Sequence, residues 1–204
     1  MTNPIRFALT ALLAVASLAA AADKSRLVVL TDIGEDPDDQ QSMIRLMVHA
    51  NEFDIEGLIA SASGTPGKKD PEVVRPQLIR EIVEAYGQVQ PNLRKHHPDF
   101  PEAKLLVERI KAGNPVRGTA SLGGGRDTDG SKWIIQVVDR ADERPVNVVI
   151  WGGSTELAQA LWRVRHDRTP DEVKRFVGKL RVYSIGHQDN TGTRRLHSDL
   201  DGFV

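Results

Sequence analysis

Two patterns of hydrophobic and polar positions alternate along this chain. Short, continuously apolar runs at 26–31, 53–63, 146–153 and 179–186 are typical of buried strands. Between such runs, apolar residues recur every three or four positions, which indicates helices with one buried face. After the first strand the buried face would consist of Met43, Leu46, Met47 and Ala50. The pattern therefore predicts strands that alternate with helices.

The sequence also predicts where several helices begin and end. A helix in 71–87 is predicted to end at Gly87, and another in 101–113 to begin after a proline and end at a glycine. A polar, Gly-rich loop at 114–131 precedes a further helix. The next helix, after the third strand, is followed by one whose start forms a capping box with proline at its first position. The buried face in 71–87 comprises Val74, Leu78, Ile82 and Tyr86, and the capping box comprises Thr169, Pro170 and Glu172.

The order of these elements predicts the fold class. Strands that are apolar throughout and alternate with helices predict an α/β fold, a layered and mostly parallel sheet with helices on both faces. In such folds ligands bind beyond the carboxyl ends of the strands. Polar segments at 31–39, 151–155 and 186–192 each follow a predicted strand. We therefore expect these three segments to meet at one rim of the sheet.

Composition and charge narrow the class of protein. The chain has 204 residues, a formal net charge of −1 and no cysteine, which excludes disulfides and thiolate zinc sites and gives no reason to expect nucleic acid as a partner. Arg6, an apolar run and a small-residue Ala-x-Ala pattern predict a signal peptide at 1–22. The protein is then expected to be secreted or periplasmic, with one domain at 23–204 and no membrane association after cleavage.

The turn after the first strand carries the strongest chemical signal. It holds five acidic residues within a few positions: Asp32, Glu35, Asp36, Asp38 and Asp39. Carboxylates suit hard cations such as calcium or magnesium. Asp38 or Asp39 could instead cap the helix that is predicted to start near Gln40, with the other acids in water. The spacing alone leaves metal binding and helix capping open.

Four segments resemble the nucleoside hydrolase-like family, in particular its cellulose-binding branch. They are "VVLTDIGEDPDDQQSMIRLMVHANEFDIEGLIASAS", "NPVRGTASLGGGRDTDGSKWII", "RPVNVVIWGGSTELAQALWRVR" and "LRVYSIGHQDNTG", in that order. Together they cover about residues 26–192. The resemblance implies the nucleoside hydrolase-like fold with one calcium ion at the rim of the sheet.

The resemblance also implies roles for individual residues. Asp32 would bind calcium and act as the general base that takes a proton from the attacking water. Asp39 and the main-chain carbonyl of Thr155 would complete the part of the metal cage that this chain supplies. Asp38 would bind sugar hydroxyls, and the family's sugar-binding Asn falls near Ser63. From their own chemistry, three polar residues after the last strand are predicted to bind hydroxyl groups of the substrate: Gln188, Asp189 and Asn190.

The sequence departs from the family at two points. Leu30 stands where classical nucleoside hydrolases have a further Asp, and residues 193–204 do not align with the segment that supplies a later Asp ligand and a His acid. The domain is therefore expected to be incomplete at its C-terminus. His187 is interpreted as a polar loop residue.

Three functions are compatible with this sequence. The first is calcium-dependent hydrolysis of an N-glycosidic, nucleoside-type bond or a related glycosidic bond. The second is non-catalytic binding of carbohydrate such as cellulose by an exported protein of the same fold, and the third is an inactive truncated copy. In each active case the partner is a small nucleoside or carbohydrate ligand, and an oligomer is compatible with the chain.

Overall fold

In the computed structural model, the described residues are 23–62, 72–186, 188–189 and 191. The predicted signal peptide therefore lies outside the described residues. The strands are β1 (Ser25–Thr31), β2 (Phe53–Ala60), β3 (Ile110–Ala112), β4 (Val146–Ile150) and β5 (Leu180–Ser184). The helices are α1 (Pro37–Val48), α2 (Pro76–Leu93), α3 (Ala103–Glu108), α4 (Asp129–Val138), α5 (Thr155–Asp167) and α6 (Pro170–Gly178). Two short 3₁₀ turns, Ala50–Glu52 and Thr119–Ser121, complete the described part.

The five strands form one sheet in the order β3-β2-β1-β4-β5, and every neighbouring pair is parallel. The predicted α/β class with a parallel sheet is confirmed. β1 lies at the centre, so that Leu30 pairs with Ile59 on one side and with Ile150 on the other. Parallel pairing brings the carboxyl ends of all five strands to one rim, as the alternation of strands and helices predicts.

Two apolar layers cover the sheet. On one face, α4, α5 and α6 pack on side chains such as Val28, Leu30 and Val148. On the other face, α1, α2 and α3 pack on Leu27, Val29 and other residues. Consecutive residues of β1 thus point to opposite layers, and all of them except Ser25 are buried, because both faces are covered by helices. Within the described part, no helix is both long and apolar enough to cross a membrane.

The observed helices differ from the sequence predictions at their ends. α1 begins at Pro37, three residues before the predicted start, and Asp38 and Asp39 lie in its first turn. The N-cap is Asp36, whose side chain makes no capping hydrogen bond. The predicted capping role of Asp38 or Asp39 is therefore wrong.

α2 and α3 require larger corrections. α2 continues past Gly87 to Leu93, and the predicted helix at 101–113 ends at Glu108, after which β3 begins. Close packing explains why a glycine lies inside α2: a Cβ at Gly87 would come within 2.9 Å of the Ala103 Cβ. Only three residues pair in β3, too few for a strand pattern to be visible in the sequence. The capping box that begins α6 is present as predicted.

A buried ion pair joins the strands at the edge opposite the rim. The Arg26 side chain is fully buried and donates from Nε and Nη2 to the two carboxylate oxygens of Glu56, each at 2.9 Å. Arg26 Nη2 also donates to the carbonyl of Val137 in α4 at 2.7 Å. The register of β1 and β2 shifts next to Glu56, between the pairs Leu27–Ile55 and Val28–Gly57. The irregularity leaves Glu56 unpaired in the ladder and thereby allows it to meet Arg26.

Candidate functional site

Asp32 lies where β1 ends, in a tight turn at the rim. The Asp32 carbonyl accepts a hydrogen bond from the N–H of Glu35 at 3.2 Å, which closes the turn. Gly34 within this turn has a φ of 94°, and a Cβ there would lie 2.6 Å from Leu78 Cδ1. The turn therefore requires glycine both for its backbone conformation and for the space beside α2. The acidic segment is thus held by the fold and is not an open loop.

Asp39 returns toward Asp32 from the first turn of α1. The Asp39 side chain is buried, and its Oδ2 accepts a hydrogen bond from the Thr31 hydroxyl at 2.5 Å. Burial is the largest cause that raises the pKa of Asp39, and together with the hydrogen bond and negative charge of Asp32 it brings this pKa to about 7, although the hydrogen bond from Thr31 lowers it. The acidic turn therefore brings two carboxylates together, one half-buried and one buried.

The loop after β4 packs directly against Asp32. A Cβ at Gly152 would lie 2.6 Å from both Cγ and Oδ1 of Asp32, so only a glycine fits beside this carboxylate. The next residue, Gly153, is equally close to the loop after β2, since a Cβ there would lie 2.0 Å from the Ala62 carbonyl oxygen. Two of the three polar segments that were predicted to meet at the rim, 31–39 and 151–155, do meet there.

Asp189 from the third segment is part of the same rim. It is buried, and its Oδ2 accepts hydrogen bonds from the N–H of Ser154 at 2.7 Å and from the Thr155 hydroxyl at 2.8 Å. Its Oδ1 accepts from the Ser154 hydroxyl at 3.1 Å and from the N–H of Thr191 at 3.1 Å. A carboxylate at this position satisfies N–H and hydroxyl groups at the start of α5. Asp189 thus fixes the N-terminus of α5, while the substrate contact proposed for it stays a prediction.

Thr155 begins α5 at the rim, with its side chain turned inward. Its hydroxyl donates to Asp189 and accepts a hydrogen bond from the N–H of Gly118 at 3.0 Å. These bonds connect the start of α5 to the Gly-rich loop and to the segment after β5. The main-chain carbonyl of Thr155 is the atom that the resemblance assigns to calcium.

Sequence reasoning missed Glu156, the next residue of α5. Its side chain is fully buried, and burial raises its pKa to about 7. Oε1 accepts from the N–H of Asn114 at 2.7 Å, whereas Oε2 has no hydrogen-bond partner among the described residues. Glycine makes room for this side chain, because a Cβ at Gly113 would lie 2.4 Å from its Cδ. No local pattern in "STELAQ" distinguishes a buried glutamate from an exposed one.

The remaining predicted site residues are distributed as follows. Asp38 is exposed in the first turn of α1, and Gln188 is half-buried after β5. Ser63, Asn190 and His187 lie outside the described residues. Leu30, at the position where classical nucleoside hydrolases have an Asp, is fully buried among apolar side chains beneath α4 and α5.

The chemistry of the rim fits a hard cation in part. Asp32 and Asp39 supply two carboxylates, the type of oxygen ligand that calcium prefers. Within the described ranges, no group of three or more His, Cys, Asp or Glu side chains could hold a metal ion. Calcium takes six to eight oxygen ligands, so main-chain carbonyls and water would have to complete the shell. The two carboxylates therefore supply only part of a calcium coordination shell. The main-chain carbonyl of Thr155 is the further ligand that the resemblance implies.

Comparison with known proteins agrees with the fold and the family. The sequence profile of the family described as "Cellulose-binding Sde182, nucleoside hydrolase-like domain" matches residues 26–198. A solved structure of a nucleoside hydrolase-related hypothetical protein from Saccharophagus degradans, associated with carbohydrate metabolism, is 39% identical and superposes with a TM-score of 0.76. The similarity covers 84% of this chain and 41% of that protein's chain. No functionally curated protein matches the chain. The chain therefore belongs to the family of the Sde182 cellulose-binding, nucleoside hydrolase-like domain.

Proposed function

We propose that this protein is an exported domain that binds carbohydrate at the rim of its sheet, with calcium held between Asp32, Asp39 and the main-chain carbonyl of Thr155. The observation that carries the proposal is the contact between the Asp32 and Asp39 carboxylates, with Asp32 packed against Gly152 in the loop after β4. The cellulose-binding description of the family and the association of the solved relative with carbohydrate metabolism support a sugar as the ligand.

The negative charge of the Asp32–Asp39 pair supports a bound cation at the rim. Two carboxylates in contact repel each other when both are ionised, and burial of Asp39 increases the cost. A divalent cation between them would remove that repulsion, and the turn fixed by Gly34 would present both carboxylates without rearrangement of β1. The geometry therefore favours calcium over a purely solvated acidic turn.

The sugar would lie on the solvent side of this ion. Asp38 is exposed one residue before Asp39, and its carboxylate can accept hydrogen bonds from sugar hydroxyl groups. Gln188 is half-buried in the segment after β5 and offers both a donor and an acceptor. Ser63 and Asn190 are assigned to the same ligand on the sequence alone.

Calcium titration by calorimetry, combined with cellulose pull-down, tests this proposal on the polypeptide 23–204. We expect Asp32→Asn to weaken calcium binding about tenfold or more, because one charged ligand is lost. A chelator and Asp32→Asn should then both reduce retention on cellulose. Asp36→Asn is the matched control, since Asp36 is exposed in the same turn and makes no capping hydrogen bond. A parent protein that shows neither heat nor thermal stabilisation with calcium would exclude the metal role.

Hydrolysis of an N-glycosidic bond is the second candidate function. It is favoured by the position of Asp32, which is half-buried at the open rim and beside the proposed cation. Bound calcium would make the attacking water more acidic. The Asp32 carboxylate would accept the proton of that water, and Asp38 would hold the sugar hydroxyls. This candidate requires a group that protonates the leaving base, a role for which the described residues at the rim offer no assigned side chain.

Turnover of nucleosides and aryl glycosides separates hydrolysis from binding. If the protein is a hydrolase, Asp32→Asn should lower kcat by a factor on the order of 100 to 10,000, the usual contribution of a general base. The control is again Asp36→Asn, which should retain the parent rate. Cellulose retention without turnover in calcium-saturated protein would leave binding as the function.

Export is proposed on the sequence pattern of residues 1–22. Expression of the whole sequence in a bacterium with fractionation of the culture tests it. We expect a product outside the cytoplasm whose N-terminus lies near residue 22 by mass spectrometry. Full-length protein retained in the cytoplasm would contradict this proposal without affecting the rim.

A further inference from the structure

A groove of about 680 Å³ follows the outer edge of β3, away from the Asp32–Asp39 pair. Its walls are the N-terminal halves of α2 and α4, and its floor is β3 itself. β3 is an edge strand that pairs only with β2. The groove has the volume of a small-molecule site and opens to solvent.

The charge of the groove differs from that of the chain. Three cationic side chains, Arg80, Lys111 and Lys132, line it together with one carboxylate, Asp129. The chain as a whole has a net charge of −1, so the cationic groove is a local feature. Within the part of the chain that the structure describes, no ion pair joins Arg80 or Lys132 to a carboxylate. Both residues are exposed, and the charge of Lys132 lowers the pKa of the nearby Asp127 carboxyl.

Lys111 is held in place at the floor of the groove. Its Nζ lies 4.2 Å from the ring centroid of Trp133, a favourable cation–π contact. The Trp133 ring is itself fixed, because its Nε1 donates to the Glu56 carbonyl at 2.7 Å. The Lys111 side chain is half-buried and its Nζ donates to the carbonyls of Glu108 and Ile110. Burial lowers its pKa, and the nearby charges of Asp129 and Glu108 raise it. A fixed, partly desolvated ammonium interacts more strongly with an anion than a mobile one in water.

The main chain of β3 adds hydrogen-bonding groups. Arg109 accepts from the Leu58 N–H at 3.0 Å and Gly113 donates to the Ala60 carbonyl at 2.8 Å, so these alternate residues face β2. Ile110 and Ala112 therefore direct their main-chain N–H and carbonyl groups away from β2, into the groove. The Ile110 carbonyl already accepts a hydrogen bond from Lys111 Nζ at 3.3 Å. The other main-chain groups can bind hydroxyls, and the cations can bind an oxyanion on the same ligand.

We propose that the groove defined by Arg80, Lys111 and Lys132 along β3 is a second carbohydrate subsite, which binds a sugar that carries an oxyanion. A uronate carboxylate and a sugar phosphate share the required chemistry, and the experiment distinguishes them. The choice of a sugar as the ligand rests on the proposed function, whereas the choice of an anion rests on the groove alone. The subsite would let the domain bind acidic glycans in addition to neutral ones.

Calorimetry in calcium-free buffer tests the subsite with an oligogalacturonate, a neutral cello-oligosaccharide of equal length, glucose 6-phosphate and inorganic phosphate. We expect one acidic sugar to bind and the double variant Arg80→Gln/Lys132→Gln to weaken that binding at least about tenfold. The neutral oligosaccharide should not bind in this buffer, because its proposed site at the rim requires calcium. Added salt should weaken the acidic ligand only. The control is Arg45→Gln/Lys174→Gln, which removes the same charges from exposed positions outside the groove.

The outcomes separate this proposal from the one for the rim. Equal binding of the acidic sugar by the parent and by Arg80→Gln/Lys132→Gln would overturn the groove, whatever happens at the rim. Binding of inorganic phosphate as tight as that of either acidic sugar would overturn the assignment to a carbohydrate. If the parent protein binds neither calcium nor cellulose but binds an acidic sugar that Arg80→Gln/Lys132→Gln weakens, the proposal for the rim is rejected and the proposal for the groove is supported.

Discussion

At the scale of single residues, the rim depends on contacts that exclude even one methyl group. Asp32 lies so close to the chain at Gly152 that a Cβ there would overlap its carboxylate at 2.6 Å. Gly152 has no positive φ, so the requirement for glycine at this position is one of space alone. Gly152, in the loop after β4, therefore sets the orientation of Asp32, the proposed metal ligand that follows β1.

Gly152→Ala should displace the Asp32 carboxylate and weaken calcium binding about tenfold or more. The overlap should also lower the free energy of unfolding by about 1–3 kcal/mol, the usual cost of overpacking. Calorimetry with calcium and urea denaturation measure the two effects. The control is Gly178→Ala, since a Cβ at Gly178 meets no atom within 4 Å. Calcium affinity equal to that of the parent would show that Asp32 is not oriented by this loop.

At the scale of secondary-structure elements, the Arg26–Glu56 pair ties β1 and β2 to α4. Both side chains are buried, and Arg140 adds a contact of 3.1 Å from its Nη1 to Glu56 Oε2. A pair of this kind contributes little net stability compared with an apolar pair, but removal of one partner leaves a buried charge uncompensated. Single substitutions of Arg26 or Glu56 should therefore lower the stability with which β1, β2 and α4 pack together.

Glu56→Gln is expected to lower the free energy of unfolding by about 2–3 kcal/mol, because the buried Arg26 would lose its bidentate partner and keep only the longer ion pair from its Nε to Asp142 Oδ2 at 3.6 Å. Urea denaturation measures the loss. Asp54→Asn serves as the comparison, because Asp54 pairs with Arg144 near the surface, where an ion pair contributes about 0–1 kcal/mol. Similar losses in the two variants would mean that burial of Arg26 is incomplete in solution.

The elements also show how far the sequence can predict this fold. Apolar runs and capping signals predict β1, β4 and α6 because these patterns are local. The prediction for the buried face of α2 is correct at Tyr86 and displaced at its other positions. Strict spacing by four residues selects Val74, Leu78, Ile82 and Tyr86, of which the first three are only partly buried against the core, whereas the buried residues are Ile79, Val83, Tyr86 and Gln90. At 3.6 residues per turn, each step of four drifts about 40° around the helix, so that strict spacing leaves the true face.

The same distinction applies to the site. The acidic turn is visible in the sequence because it holds several carboxylates in one short segment, and the resemblance to the family then selects Asp32 and Asp39 within it. Glu156 was missed because its burial depends on tertiary neighbours, among them the space left by Gly113 and the N–H of Asn114. β3 and its groove were missed for the same reason, since three residues of strand are defined only by their partner β2.

At the scale of the whole molecule, the helices of the described residues leave one part of the sheet uncovered. Residues on the α1–α3 side of β4 and β5 form an apolar face that remains partly or largely exposed: Val149, Trp151, Tyr183 and Ile185. Tyr183 is 65% exposed and Ile185 is 63% exposed. β5 is also an edge strand, so its outer main-chain groups have no strand partner among the described residues. Exposed edges and apolar patches favour association.

The polypeptide 23–204 is therefore expected to self-associate through this face, and Tyr183→Lys/Ile185→Lys to weaken the association about tenfold or more by placing charge on a strand edge. Sedimentation velocity over a range of concentrations measures the change. The matched control is Ile44→Lys/Val48→Lys, because Ile44 and Val48 are also exposed apolar residues but lie on α1, at 53% and 45% exposure. If association persists in the β5 variant, or is lost equally in the α1 variant, the sheet edge is not the contact. Because none of the substituted residues is a proposed calcium ligand, calcium binding should be unchanged in both variants, which separates assembly of the molecule from the chemistry of its rim.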